Sequence, residues 1–93
     1  MLKSFKSRAL RDYWLKANAK GIKPEWRCRV RDLLSALDAA GSPQDMALPG
    51  YGFHPLKGER KGDYAVTIRP NWRITFQWQD GHAVRVNMED YHG

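Results

Sequence analysis

Apolar residues recur along the chain in two rhythms, at three- and four-residue intervals in its first half and at every second position in its last third. Leu2, Lys3, Ser4 and Phe5 read as a short strand. Ala9, Leu10, Tyr13, Trp14 and Ala17 then keep helical spacing, with Ser7 as the N-cap and Gly21 as the residue beyond the C-cap. Trp26, Val30, Leu33, Leu34, Leu37 and Ala40 form the apolar stripe of a second helix. Pro24 fits its first turn, where a missing N–H costs nothing, and Gly41 with Pro43 ends it. Residues 41–52 are rich in glycine and proline and read as a loop.

Strand rhythm follows. Residues 53–57 predict a short strand that Pro55 confines to an edge or a strand start. Residues 58–62 turn the chain. Tyr64, Val66 and Ile68 alternate against Ala65 and Thr67. Arg69, Pro70 and Asn71 form a second turn. Trp72, Ile74, Phe76 and Trp78 share one face of the clearest strand, and Arg73, Thr75 and Gln77 share the other. Asp80-Gly81 marks a hairpin. A last strand from 83 to about 90 places Val84, Val86 and Met88 inward and Arg85, Asn87 and Glu89 outward.

These elements predict an α+β fold in a single domain over residues 1–93. Two N-terminal helices pack on one face of a mostly antiparallel sheet of four to five strands. The Trp72–Trp78 stripe meets the leucines of the helices, so the opposite sheet face is left polar and uncovered.

Ninety-three residues suffice for one small core. A single cysteine, Cys28, excludes an internal disulfide and predicts a reducing compartment. No apolar run matches a signal peptide or a membrane span, so a cytoplasmic protein without membrane contact is expected. The net charge of +6 is uneven: residues 1–31 carry ten bases and two acids. Such a basic half attracts polyanions, nucleic acid above all. Arg27, Arg29 and Arg31 lie off the apolar stripe of the second helix and supply much of that charge.

His54, His82 and His92 show no metal-ligand spacing, and neither G-x-G-x-x-G nor a P-loop is present, so no metal or cofactor is expected. Any catalysis then falls to side chains. Arg73 on the open face, His54 and Lys57 around the short strand, and the terminal Glu89-Asp90-Tyr91-His92 suit phosphodiester cleavage in RNA. That reaction needs a base for the 2′-hydroxyl, an acid for the departing 5′-oxygen, and cations for the charged phosphorane. Histidine serves either proton role. Arginine offers a fixed fork to phosphate and lysine a mobile point charge. Asp90 suits orienting an imidazole, and Tyr91 suits stacking on a base or holding a ribose or phosphate oxygen.

In "SFK" at the start, "HPLKG" at His54 to Gly58, "NWRITF" at Asn71 to Phe76 and "EDYH" at Glu89 to His92, the chain resembles the HigB toxins of type II toxin–antitoxin systems, within the RelE/ParE superfamily. The resemblance implies a ribosome-dependent endoribonuclease that cuts messenger RNA in the decoding site and stops translation. It also implies a HigA-type helix-turn-helix antitoxin, through which alone the toxin would meet operator DNA. The family's functional residues land on His54, Lys57, Arg73, Asp90, Tyr91 and His92. His54 and His92 share the acid and base roles, in an order the sequence leaves open. Asp90 orients one of them, Arg73 and Lys57 bind the scissile phosphate, and Tyr91 holds the substrate. Arg27, Arg29 and Arg31 are the expected contacts to ribosomal RNA. A ParE-like gyrase poison and a plain RNA-binding module are the alternatives.

Overall fold

The computed structural model describes residues 1–90, so Tyr91 and His92 of the expected site lie outside the described residues. Helix α1 (Arg8–Lys16) starts as predicted: Ser7 is extended and its Oγ accepts from the Leu10 N–H at 3.2 Å. It ends earlier than predicted. Ala17, not Gly21, takes the left-handed conformation (φ 54°), and its N–H returns to Asp12 O. Gly21 serves close packing instead, because a Cβ there would lie 2.6 Å from Ala9 Cβ.

Pro24–Trp26 form a 3-10 turn that leads into α2 (Arg27–Ala39). The predicted stripe is buried from Trp26 through Val30, Leu33, Leu34 and Leu37 to Ala40. Tyr13 Oη donates to Arg27 O at 2.9 Å and ties the two helices together.

The sheet runs β1 (His54–Pro55), β2 (Asp63–Arg69), β3 (Trp72–Gln79), β4 (His82–Asp90), each antiparallel to the next. Strand β1 is shorter than the expected 53–57; Pro55 has no N–H to extend a ladder. Gly58–Arg60 make a 3-10 turn within the predicted 58–62 turn. The N-terminal segment lies along the free edge of β4 through isolated parallel bridges, Leu2 to Ala83 and Phe5 to Val86. Both helices pack on the Trp72 face, with Leu10, Leu33, Leu34 and Leu37 in one core with Val66, Ile74, Phe76 and Val86.

Strand β4 departs from simple alternation. Thr75 pairs with Asn87 but Gln77 pairs with Val84, so β4 carries one extra residue between those pairs. Arg85 absorbs it at φ 53°, and its N–H donates to Ser4 Oγ at 2.9 Å. The bulge keeps Ala83, Val86 and Met88 on the core face. Val84 is therefore moved to the Gln77 face, contrary to the expected inward position. Across the sheet, directly paired residues share a face, so that second face carries four rows: Gln79–His82, Asp63–Gln77–Val84, His54–Ala65–Thr75–Asn87 and Thr67–Arg73–Glu89.

Candidate active site

The second sheet face is polar, as its alternation predicts, and its charges are organised around Glu89. Arg60, from the turn before β2, donates to both Glu89 oxygens at 2.6 and 3.2 Å, and its Nε donates to Asp63 Oδ2 at 2.9 Å. Arg73 Nη2 reaches Glu89 Oε1 at 3.0 Å, and the Thr75 hydroxyl donates to Oε2 at 3.2 Å. Gln77 Nε2 donates to Asp63 Oδ1 at 2.8 Å. Arg73 keeps only 14% of its side chain exposed, and Thr75 is buried.

Burial alone would raise the Glu89 carboxyl. Hydrogen bonds from Arg60 and then Arg73, with their charges, reverse this and hold it at about 2. The hydrogen bond to Glu89 likewise pushes the Arg60 guanidinium above its ordinary value, against burial and with help from Asp63. The result is a pair of fixed guanidiniums locked by one carboxylate, beside an open cleft of about 390 Å³ floored by Thr75, Gln77, Asn87 and Glu89.

His54 shares the Ala65–Thr75–Asn87 row, so it stands on the Arg73 face. It is exposed, and its Nδ1 lies 3.0 Å from Gly52 O. A carbonyl only accepts, so Nδ1 carries a proton in this contact, and in the neutral ring the lone pair falls on Nε2. Gly52 must be glycine here: its φ is +60°, and a Cβ would sit 2.6 Å from Thr67 Oγ1. Lys57 is exposed at the start of the turn that delivers Arg60, whose N–H bonds Lys57 O at 3.3 Å. Asp90 is exposed and pairs with Trp72, so the register sets it on the Trp72 face at the strand end, apart from Arg73.

The three arginines of α2 differ. Arg29 spans to the loop before β1: its guanidinium donates to Gly50 O at 2.6 Å and Thr67 O at 2.9 Å, and it lies 5.1 Å from the Tyr51 ring. Arg27 Nε donates to Ile22 O at 3.0 Å. Arg31 is exposed, beside Tyr13 and Trp14. Arg60 and Thr75 were given no role by the sequence, and Glu89 entered only within the terminal Glu89-Asp90-Tyr91-His92 run; the one hint of their cluster was the polar alternation of β3 and β4. Among the described residues, no three His, Cys, Asp or Glu side chains cluster as metal ligands, and no helix is long and apolar enough to cross a membrane.

A helix pair on one side of a four-stranded meander, with charged groups on the other, is a RelE-like fold. It is similar to the YoeB–YefM complex from Staphylococcus aureus (TM-score 0.62, 21% identity, 100% of this chain and 99% of that one). It is also similar to a YafQ variant from E. coli (TM-score 0.59, 19% identity, 98% and 94%). A family model matches residues 3–92, and the chain belongs to that HigB-like family, described as the RelE-like toxin of the type II toxin–antitoxin system HigB. It is 41% identical to Endoribonuclease HigB of Proteus vulgaris, over 99% of this chain and all of that protein. Toxin HigB-1 of Vibrio cholerae is 34% identical over 62% of each chain.

Proposed function

We propose that this toxin is an endoribonuclease that cuts messenger RNA in the decoding site of the ribosome by acid–base transesterification, with side chains alone supplying the chemistry. The observation that carries the reading is the polar sheet face turned away from the helices, where Arg73 is fixed by Glu89 and His54 stands in the neighbouring row. Full-length kinship to a protein named as an endoribonuclease supports it.

In the reaction, the ribose 2′-oxygen attacks the adjacent phosphorus as a base takes its proton. The bond from phosphorus to the 5′-oxygen breaks as an acid protonates the leaving oxygen. A 2′,3′-cyclic phosphate and a 5′-hydroxyl result. Arg73 and Lys57 neutralise the phosphorane. His54 and His92 carry the two protons. The lone pair that Gly52 O leaves on His54 Nε2 suits the base. Asp90 orients an imidazole from the strand end, and Tyr91 holds the substrate. Arg27, Arg29 and Arg31 form the basic side toward ribosomal RNA, with Arg31 the most available of the three. A HigA-type antitoxin is the neutralising partner, and the toxin acts in the cytoplasm.

Mapping RNA 5′ ends after incubation with message-programmed ribosomes tests the reading. The wild type should produce new ends within decoding-site codons. Arg73→Ala and His54→Ala should each lower the rate about 10²- to 10⁴-fold. Intact message with the wild type refutes the proposal.

A further inference from the structure

The cleft beside Glu89 adjoins the residues assigned to the reaction but is lined by none of them, and its acidic lining is Glu59, Asp63 and Glu89. Its rim carries Lys6, Lys61 and Arg85, all exposed, and none of the three forms an ion pair among the described residues. By contrast, Arg60 on the same rim is engaged by Asp63 and Glu89. Three separate devices bring these cations to one cleft. The edge bridge fixes Lys6 through its N–H to Val86 O at 2.8 Å. The β4 bulge carries Arg85 at φ 53°, a conformation costly for a residue with a Cβ. The turn after Gly58–Arg60 delivers Lys61.

Cleft and reaction rows are continuous. Thr75 and Asn87 belong to the His54 row and also floor the cleft, and Glu89 lines it while holding Arg73. From Arg73 to Gln77 along β3 is about 13 Å at the rise of a strand. An RNA strand whose reacting phosphate lies at Arg73 therefore continues naturally over Thr75 and Gln77.

We infer that this cleft is a second phosphodiester subsite, in which Lys6, Lys61 and Arg85 hold the backbone of the substrate RNA beside the cut nucleotide. The inference rests on the nuclease reading for its choice of strand. The amides of Gln77 and Asn87 face the same strand from the floor.

The test uses the full chain and a single-stranded 2′-O-methyl RNA, which cannot undergo the cleavage step, so binding is read apart from catalysis. The Lys6→Ala/Lys61→Ala/Arg85→Gly variant should bind it ~10- to 100-fold more weakly at 0.1 M salt. The slope of log affinity against log salt should flatten by about 2, the loss of three single-strand phosphate contacts. Lys61→Ala alone, in an exposed turn, should flatten it by about 0.7, which keeps the test sound if the triple variant folds poorly. Unchanged affinity and slope overturn the subsite, as does a wild type that ignores the strand. Variants that bind the RNA normally yet lose affinity for message-free ribosomes overturn it in favour of ribosomal RNA. Wild-type binding that the variants weaken, with no cleavage on programmed ribosomes, sustains the subsite while sinking the nuclease reading.

Discussion

Glu89 is the residue on which the open face turns. Its carboxylate accepts from two guanidiniums and a threonine hydroxyl, so it sets the orientation of Arg73 as much as any contact to substrate would. Its shift from an ordinary 4.5 to about 2 corresponds to at most about 3 kcal/mol of stability, nearer 2 after solvent screening. Because the folded value is depressed, that stabilisation is complete above about pH 4.5 and is lost as the pH falls toward 2. Glu89→Gln should therefore unfold about 2 kcal/mol more easily in urea at pH 7. The deficit should shrink steadily between pH 4.5 and pH 2. A deficit independent of pH would assign the loss to packing instead. Sequence placed Glu89 correctly on the outward face but gave no sign of this role, since its partner Arg60 comes from a turn 29 positions earlier.

At the scale of elements, α2 does two jobs that its sequence shows as one. Its leucine stripe was legible from spacing alone, because burial repeats with the helical period. The arginines opposite were legible only as charge. Arg29 in fact clamps Gly50 and Thr67 and so steadies the loop that carries Gly52 and His54. Arg29→Ala should cost about 1–3 kcal/mol in thermal or chemical denaturation, for the loss of hydrogen bonds from a charged donor. Arg31→Ala should stay within about 0.5 kcal/mol of the wild type while weakening ribosome association at low salt. Equal stability losses for both would mean that Arg29 is no clamp. The β4 bulge explains why Val84 was misplaced: alternation fails wherever a strand takes an extra residue, and Arg85 is not a residue type that announces a positive φ. Similarly, the early end of α1 at Ala17 was hidden because Gly21 offered the more usual stop.

For the molecule as a whole, one face of a small sheet is buried under two helices, and the other, among the described residues, carries the polar and charged groups. The order of elements, the helix face of the core and the polar second face all follow from periodicity. The carboxylate-locked arginine pair does not, because it joins residues from three elements through the register of the sheet. On the proposed function, this face breaks an RNA strand with its own acids and bases. The most direct measurement is the end-group chemistry of message cut on programmed ribosomes by the wild-type protein. A 2′,3′-cyclic phosphate facing a 5′-hydroxyl is expected, with no cut where the target nucleotide lacks its 2′-hydroxyl. A 3′-hydroxyl facing a 5′-phosphate, or cleavage that tolerates 2′-deoxy substitution, would contradict it.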